Sequence, residues 1–506
     1  MNHNLFDTFA ATMSARAEAE FITTREGRRY TYRDAHDKSA HLAGALVALG
    51  VKKGDRVAVQ VEKSPEAILL YLACLRIGGV YLPLNTGYTG DEIDYFLSDA
   101  EPALFVCAPA SLEQAREIAE KTGCPAVETL GQSADGTLWE KAIKATPQEE
   151  IAELSSRDLA AILYTSGTTG RSKGAMLTHQ NLASNARTLA KAWHFSAEDR
   201  LIHALPIFHT HGLFVACNVV LMAGARMLFL PKFDADVIFE ELPQGTVMMG
   251  VPTFYTRLVQ DTRLTPEATA HMRLFVSGSA PLTAETHQAF EEKTGQAILE
   301  RYGMTETNMN LSNPYEGERR AGTVGMPLDG VEIRIIDRES GRDVEDGDIG
   351  ILQVRGPNVF IGYWRMPEKT REELLDDGFF ITGDLALRDT QGYVHIVGRD
   401  KDLVISGGYN VYPKEVEQLI DELDAVDESA VIGLPHPDFG EGVTAVVVLK
   451  PAAEANEQAI LEHLQGRLAK YKQPKRVFFV DELPRNTMGK VQKNQLRQRF
   501  EDTYRS

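Results

Sequence analysis

The run Ala161–Met176, AILYTSGTTGRSKGAM, has residue types and spacing that could do chemistry. An apolar stretch, Ala161–Tyr164, leads into Thr165, Ser166, Gly167, Thr168, Thr169 and Gly170, and the basic Arg171 and Lys173 follow. Glycine tolerates positive φ and lets backbone approach a ligand closely. Backbone N–H groups and hydroxyls can then wrap an anion, with Lys173 supplying charge. The chemistry is phosphate binding. The run is not a Walker A loop, which needs Gly-Lys-Ser/Thr after a four-residue gap, whereas here Lys173 follows Ser172. A generic Gly/Ser/Thr stretch reads as a flexible surface loop; this ordered string directly after a strand-like run reads as a phosphate cradle.

Such a loop needs a rigid support, and the flanking sequence supplies a repeated pattern. Ser39–Leu49 reads as a helix ended by Gly50, Asp55–Gln60 as a strand, and Pro65–Arg76 as a helix ended by Gly78 and Gly79. Ala103–Cys107 and Ser111–Lys121 repeat the strand and helix, and Arg226–Leu230 and Val247–Gly250 read as buried strands. Strand–helix alternation predicts an α/β fold with parallel sheets. From Gly322 to Asp400 short strands alternate with Gly, Asp and Pro turns, which predicts a β-rich subdomain. A boundary is placed near Asp400, before a mixed segment with an amphipathic helix at Pro413–Leu423.

The chain has 506 residues, 43% hydrophobic and 25% charged, a composition ordinary for a globular enzyme of several structural units. Its net charge of −19 argues against non-specific nucleic-acid binding, which needs basic surface. The four cysteines are far apart with no CxxC pair, so neither a zinc site nor a disulfide framework is expected. No apolar run approaches the ~18–20 residues that span a bilayer, and Met1–Glu20 lacks the layout of a secretory signal. A cytoplasmic protein without membrane partners is the simplest expectation.

Four further strings join the phosphate loop: ERYGMTET at Glu300–Thr307, ITGD at Ile381–Asp384, Gly398-Arg399 with Lys401–Glu417, and PRNTMGK at Pro484–Lys490. In this order they resemble the signatures of the adenylate-forming (AMP-binding) enzymes, which include acyl-CoA synthetases, luciferases and peptide-synthetase adenylation domains. The resemblance implies a large N-terminal domain, 1–399, of two doubly wound α/β subdomains plus a β-rich subdomain. A hinge at 400–402, containing Asp400 and with Lys401 as its pivot, would lead to a small mobile α+β C-terminal domain, 403–506. It implies that Thr165, Ser166, Gly167, Thr168, Thr169, Gly170 and Lys173 hold the ATP phosphates. Glu306 would bind Mg²⁺ with help from Thr165. Gly278, Ser279, Ala280, Glu300, Arg301, Tyr302, Gly303 and Thr305 would line the nucleotide slot, and Asp384 and Arg399 would hold the ribose. Lys490 would bridge the attacking carboxylate and the α-phosphate, lowering a largely electrostatic barrier. Ser406, Gly407, Gly408 and Tyr409 would form the coenzyme A loop.

Longer runs, LPIFHTHGLF, GVPTFYTRL and SGSAPL among them, resemble the malonyl-CoA synthetase branch. That resemblance implies malonate, ATP and coenzyme A as substrates, with Arg257 and Ser279 on the distal carboxylate and His209 beside the acid. His209 is counted with Lys490 and Glu306 among the catalytic residues. Arginine matches a carboxylate through two parallel hydrogen bonds. Arg301, next to Tyr302, is the competing partner for that carboxylate. Other small acids, such as methylmalonate or a short monocarboxylate, and an acceptor other than coenzyme A are the alternatives. Acetylation of Lys490 by a lysine acetyltransferase would erase its charge and stop the first step.

If Lys490 serves only adenylation, Lys490→Ala nearly abolishes adenylate formation but affects thioester formation from supplied acyl-adenylate far less. Single-turnover assays of the two half-reactions distinguish this from equal loss in both.

Overall fold

The strand–helix alternation closes into two largely parallel sheets in the computed structural model, which describes residues 2–165, 172–407, 409–465, 467–486 and 489–504. The predicted phosphate-loop residues Ser166, Gly167, Thr168, Thr169 and Gly170, and the predicted coenzyme A-loop residue Gly408, lie outside the described residues. One sheet runs Val127–Thr129, Leu104–Cys107, Arg56–Gln60, Val80–Pro83, Leu159–Thr165, Lys173–Thr178. The other has nine strands, and its central members Arg200–His203, Val247–Gly250, Leu274–Ser277 and Leu299–Met304 are parallel neighbours. Strands such as Leu104–Cys107 and Val247–Gly250 are buried throughout, as parallel strands covered on both faces must be.

The helix Pro65–Ile77 shows why the sequence pattern was readable. Ser64 caps it by accepting the Ala67 N–H, proline occupies the first turn, and Gly78 ends it at φ 71. Every one of its residues is buried, so it is a central rather than a surface helix.

Two compact units result. The first comprises Met1–Glu332 and Val354–Phe380, and contains both sheets described above. The second comprises Ile333–Gln353 and Ile381–Ser506. It carries most of a four-stranded sheet, ordered Glu332–Ile336, Gly350–Arg355, Phe380–Arg388, Val394–Arg399, and a five-stranded sheet built around Val426–His436 and Gly440–Leu449. The expected boundary near Asp400 therefore falls inside a packed unit: Arg399 pairs with Asp384 at 2.7 Å and Asp400 with Arg338 at 3.1 Å. No helix among the described residues is long and apolar enough to cross a membrane.

The N-terminus of the first unit is tied down by buried polar groups. Asn4 donates to the carbonyls of Leu75 (2.9 Å) and Ala152 (3.1 Å), and the Leu5 N–H donates to His179 Nδ1 at 3.0 Å. Nδ1 must therefore be unprotonated, and burial pulls His179 down from 6.5 to about 4. The unfolded chain takes up a proton below pH 6.5 that the folded chain refuses until about pH 4. The stability this histidine contributes is complete above pH 6.5, falls as pH drops toward 4, and then levels off, a loss of about 3 kcal/mol. His179→Asn, which keeps an acceptor but does not titrate, should flatten that part of the curve in denaturant melts between pH 4 and 7. An unchanged slope would assign the acid sensitivity to other buried histidines.

Candidate active site

The phosphate-loop run is carried by a β-hairpin whose antiparallel register sets Thr165 opposite Lys173 and Tyr164 opposite Gly174. Its ends are braced from outside. The Tyr95 hydroxyl donates to the Ser172 carbonyl at 2.8 Å, and Tyr164 bonds to Asp99. The segment Gly362–Trp364 docks along the second strand: Met176 N–H donates to Gly362 O (3.0 Å) and Trp364 N–H to Gly174 O (2.7 Å).

That docking brings Tyr363 to the predicted metal carboxylate. The Tyr363 hydroxyl lies 3.0 Å from Glu306 Oε1 and 2.6 Å from Glu373 Oε2. Lys173 Nζ lies 3.2 and 3.3 Å from the two Glu373 oxygens and 4.2 Å from the centre of the Tyr363 ring. Buried amides fix the turn after Glu306. Asn358 donates to Thr307 O at 2.7 Å and to Asn310 Oδ1 at 2.9 Å, Asn310 donates to Thr307 Oγ1 at 2.6 Å, and Asn185 donates to Met309 O at 2.8 Å. Asn308 takes φ 52 there, a conformation asparagine tolerates better than most residues. Tyr363, Glu373 and Asn358 escaped the sequence reading. They lie outside the five strings, and only the docking of 354–380 brings them to Glu306.

The second cluster forms where parallel strands end. Cross-strand partners Gly250–Ser277 and Ser277–Glu300 align the last residues of two parallel strands with Glu300 of a third, which runs on to Met304, so Val251, Gly278 and Arg301 follow at one level of the sheet. Open α/β sheets bind ligands at this carboxyl edge. Arg301 is 3% exposed, and its Nε and Nη2 carry no hydrogen bond among the described residues. Burial pulls it down to about 9, which leaves it charged at neutral pH. Gly278 makes room for it: a Cβ there would lie 2.3 Å from the guanidinium carbon. Ser279 holds φ 75 and places Oγ 3.2 Å from His211 Nδ1. His211 is buried and pushed well below its usual range, first by burial and then by the Arg301 charge, so it is neutral. The His211 N–H in turn faces His209 Nδ1 at 3.4 Å.

The remaining predicted residues spread outward from this core. Ala280, Tyr302, Gly303 and Thr305 are half-buried, and Glu300 accepts the Leu282 N–H at 3.1 Å, bracing the loop that follows Ser279. Arg257 is exposed on the helix Pro252–Val259 and makes no hydrogen bond or ion pair among the described residues. A buried guanidinium with open N–H groups, a hydroxyl and a neutral imidazole together make a receptor for a carboxylate. Glu306 offers one carboxylate, and no group of three or more His, Cys, Asp or Glu side chains among the described residues could hold a metal ion alone. That donor set fits Mg²⁺, which takes one or two carboxylates and completes its shell with phosphate and water.

In the second unit, Asp384 is 3% exposed and directly opposite Arg399 across adjacent strands. Asp402 pairs with Arg497 at 2.7 Å, and Lys401 between these residues is lowered by burial. Lys490 is exposed, its N–H donating to Asn486 Oδ1 at 2.9 Å. Ser406 is buried, Gly407 takes φ 61, and the Tyr409 ring lies against Tyr471, centroids 4.7 Å apart and planes tilted by 32°.

Residues 9–364 match the AMP-binding enzyme family, and residues 415–490 match its C-terminal domain. This chain belongs to the AMP-binding enzyme family. A malonate–CoA ligase of Arabidopsis thaliana is 36% identical over 493 residues, covering 90% of this chain and 79% of its own. A probable CoA ligase of Humulus lupulus is 37% identical, covering 92% and 84%. The crystal structure of ATP-bound MatB from Rhodopseudomonas palustris superposes with a TM-score of 0.97 at 58% identity, covering both chains in full.

The strained Ser279 backbone gives a test that separates conformation from contact. Ser279→Gly and Ser279→Ala both lose the bond to His211, but only glycine relaxes at φ 75. The glycine variant of this AMP-binding enzyme should be more stable than the alanine variant by about 1 kcal/mol, although both are impaired in acid activation. Equal denaturation midpoints would show that the position carries no strain.

Proposed function

We propose that this enzyme activates malonate with ATP to malonyl-adenylate and transfers the malonyl group to coenzyme A, releasing AMP and pyrophosphate. The observation that carries the reading is Arg301, a buried cation with open donors beside the Ser279–His211 pair. A fatty acid would bring no anion to that buried charge, whereas the distal carboxylate of malonate would neutralise it. Arg301 is therefore assigned the main contact with that carboxylate, with Ser279 beside it, and the exposed Arg257 is assigned the rim. The malonate–CoA ligase and MatB likenesses support the same substrate.

The steps follow from charge. One malonate oxygen attacks the α-phosphorus and pyrophosphate leaves, which brings two anions together. Lys173 and the phosphate loop draw negative charge from the leaving group, and Lys490 is assigned to the attacking and α-phosphate oxygens. Mg²⁺, held by Glu306 with help from Thr165, would neutralise phosphate charge when bound. Asp384 and Arg399 are assigned to the ribose, and His209 to the entering acid. The thiol of coenzyme A then attacks the acyl carbonyl and AMP leaves, so no cysteine or serine nucleophile is needed. The loop Ser406–Tyr409 is assigned to the thiol arm, and rotation about Asp400–Lys401 to the exchange of Lys490 for that loop.

A panel of malonate, methylmalonate, succinate, acetate and octanoate, read as coenzyme A-dependent AMP release, tests the reading. Malonate should lead. Arg301→Leu should lower kcat/KM for malonate by tens- to thousands-fold, the cost of about 2–5 kcal/mol for losing a buried charged partner, and lower that for acetate far less. Arg257→Leu should have the smaller effect. If the two variants behave in the reverse order, the assignment returns to Arg257; if neither alters the malonate preference, the dicarboxylate reading fails.

A further inference from the structure

Lys173 is the cation that the described residues of the phosphate-loop run carry, yet its charge is already engaged. Both Glu373 carboxylate oxygens lie within ion-pair distance, and the Tyr363 ring lies beneath the ammonium. Burial pushes the Glu373 carboxyl up, but the Tyr363 hydroxyl, Lys369 and Lys173 together hold it below its usual range, so it is ionised. The pair is only about one-fifth exposed on each side, which protects it from the screening that makes surface pairs weak.

We propose that Glu373 is a positioning residue for nucleotide binding: its carboxylate competes with the ATP triphosphate for Lys173 and so sets how tightly the enzyme holds ATP. This rests on the assignment of Lys173 to the triphosphate under Proposed function. The lysine can leave at modest cost because Glu373 is not abandoned. Lys369 Nζ remains 2.9 Å from the same carboxylate, and the Tyr363 hydroxyl continues to donate to it. Lys173 can pivot on the Tyr363 ring, since a cation keeps its attraction to the aromatic face as its anionic partner changes. Tyr363 also links the exchange to Glu306. Its hydroxyl has a single proton and two carboxylates in reach, so a change in charge around Glu373 alters which carboxylate receives it.

Release of bound pyrophosphate would follow the same competition in reverse, with Glu373 reclaiming the lysine after adenylation. Weakening this competitor should therefore tighten ATP and slow pyrophosphate departure together, a combination that general damage to the site does not produce.

The decisive measurement is ATP affinity by calorimetry on the intact enzyme, for wild type, Lys173→Ala, Glu373→Gln, Glu373→Asp and the double variant Lys173→Ala/Glu373→Gln. Lys173→Ala should weaken ATP. Glu373→Gln should tighten it by roughly 5- to 30-fold, the scale of a partly buried charge pair. Glu373→Asp, which keeps the charge, should stay near wild type, and the double variant should match Lys173→Ala alone. If Lys173→Ala weakens ATP but Glu373→Gln leaves affinity unchanged or lowers it, the competition is disproved and the nucleotide site stands. If Lys173→Ala has no effect, the assignment of Lys173 to the triphosphate falls, and the inference falls with it.

Discussion

A cation can be kept away from water only if something compensates its lost hydration. Among its described residues the first unit contains two such cations at its candidate site, and it treats them in opposite ways. Lys173 is compensated from within, by Glu373 and the face of Tyr363. Arg301 retains open donors at Nε and Nη2, beside the Ser279–His211 pair. An internally paired charge is available for exchange, whereas a charge with open donors favours a ligand that brings its own negative group. For a chain of net charge −19 that must gather anionic substrates, these few cations set where those anions can go.

The rest of the first unit reads as support for them. Parallel strands align in register at Gly250, Ser277 and Glu300, and the residues that follow, Gly278, Ser279 and Arg301, make up most of the cluster assigned to the acid. The absence of a Cβ at Gly278 gives the guanidinium its space, and the positive φ of Ser279 turns its hydroxyl toward His211. On the phosphate side the buried amides of Asn358, Asn310 and Asn185 hold the turn that carries Glu306. Buried amides that donate across the chain in this way hold a turn in place, which is what aligning anions against their own repulsion requires.

The second unit shows a different economy. Asp384 and Arg399 face each other across a two-strand register, and Asp402 is tied to Arg497, so the chain through 400–402 is fixed by ion pairs on both flanks. Ion pairs can re-form in a new arrangement more readily than an interdigitated apolar core, and that is the physical basis for assigning movement to this segment.

Much of this was legible in the sequence because it depends on neighbours along the chain. Ser64, Pro65 and Gly78 delimit a helix by capping and φ preference alone, and the spacing of Thr165, Gly167, Gly170 and Lys173 is what the proposed phosphate loop rests on. The strings around Glu306, Asp384, Arg399 and Lys490 announced the family for the same reason. What the sequence could not convey was which of two arginines is buried. Arg257 and Arg301 are equally plausible as letters; the helix Pro252–Val259 turns one outward, while the strand Leu299–Met304 carries the other into the interior. Nor could it reveal that Tyr363 and Glu373, far from Lys173 along the chain, would meet it in space. Burial and long-range pairing arise from packing many segments at once, so only the tertiary structure decided them.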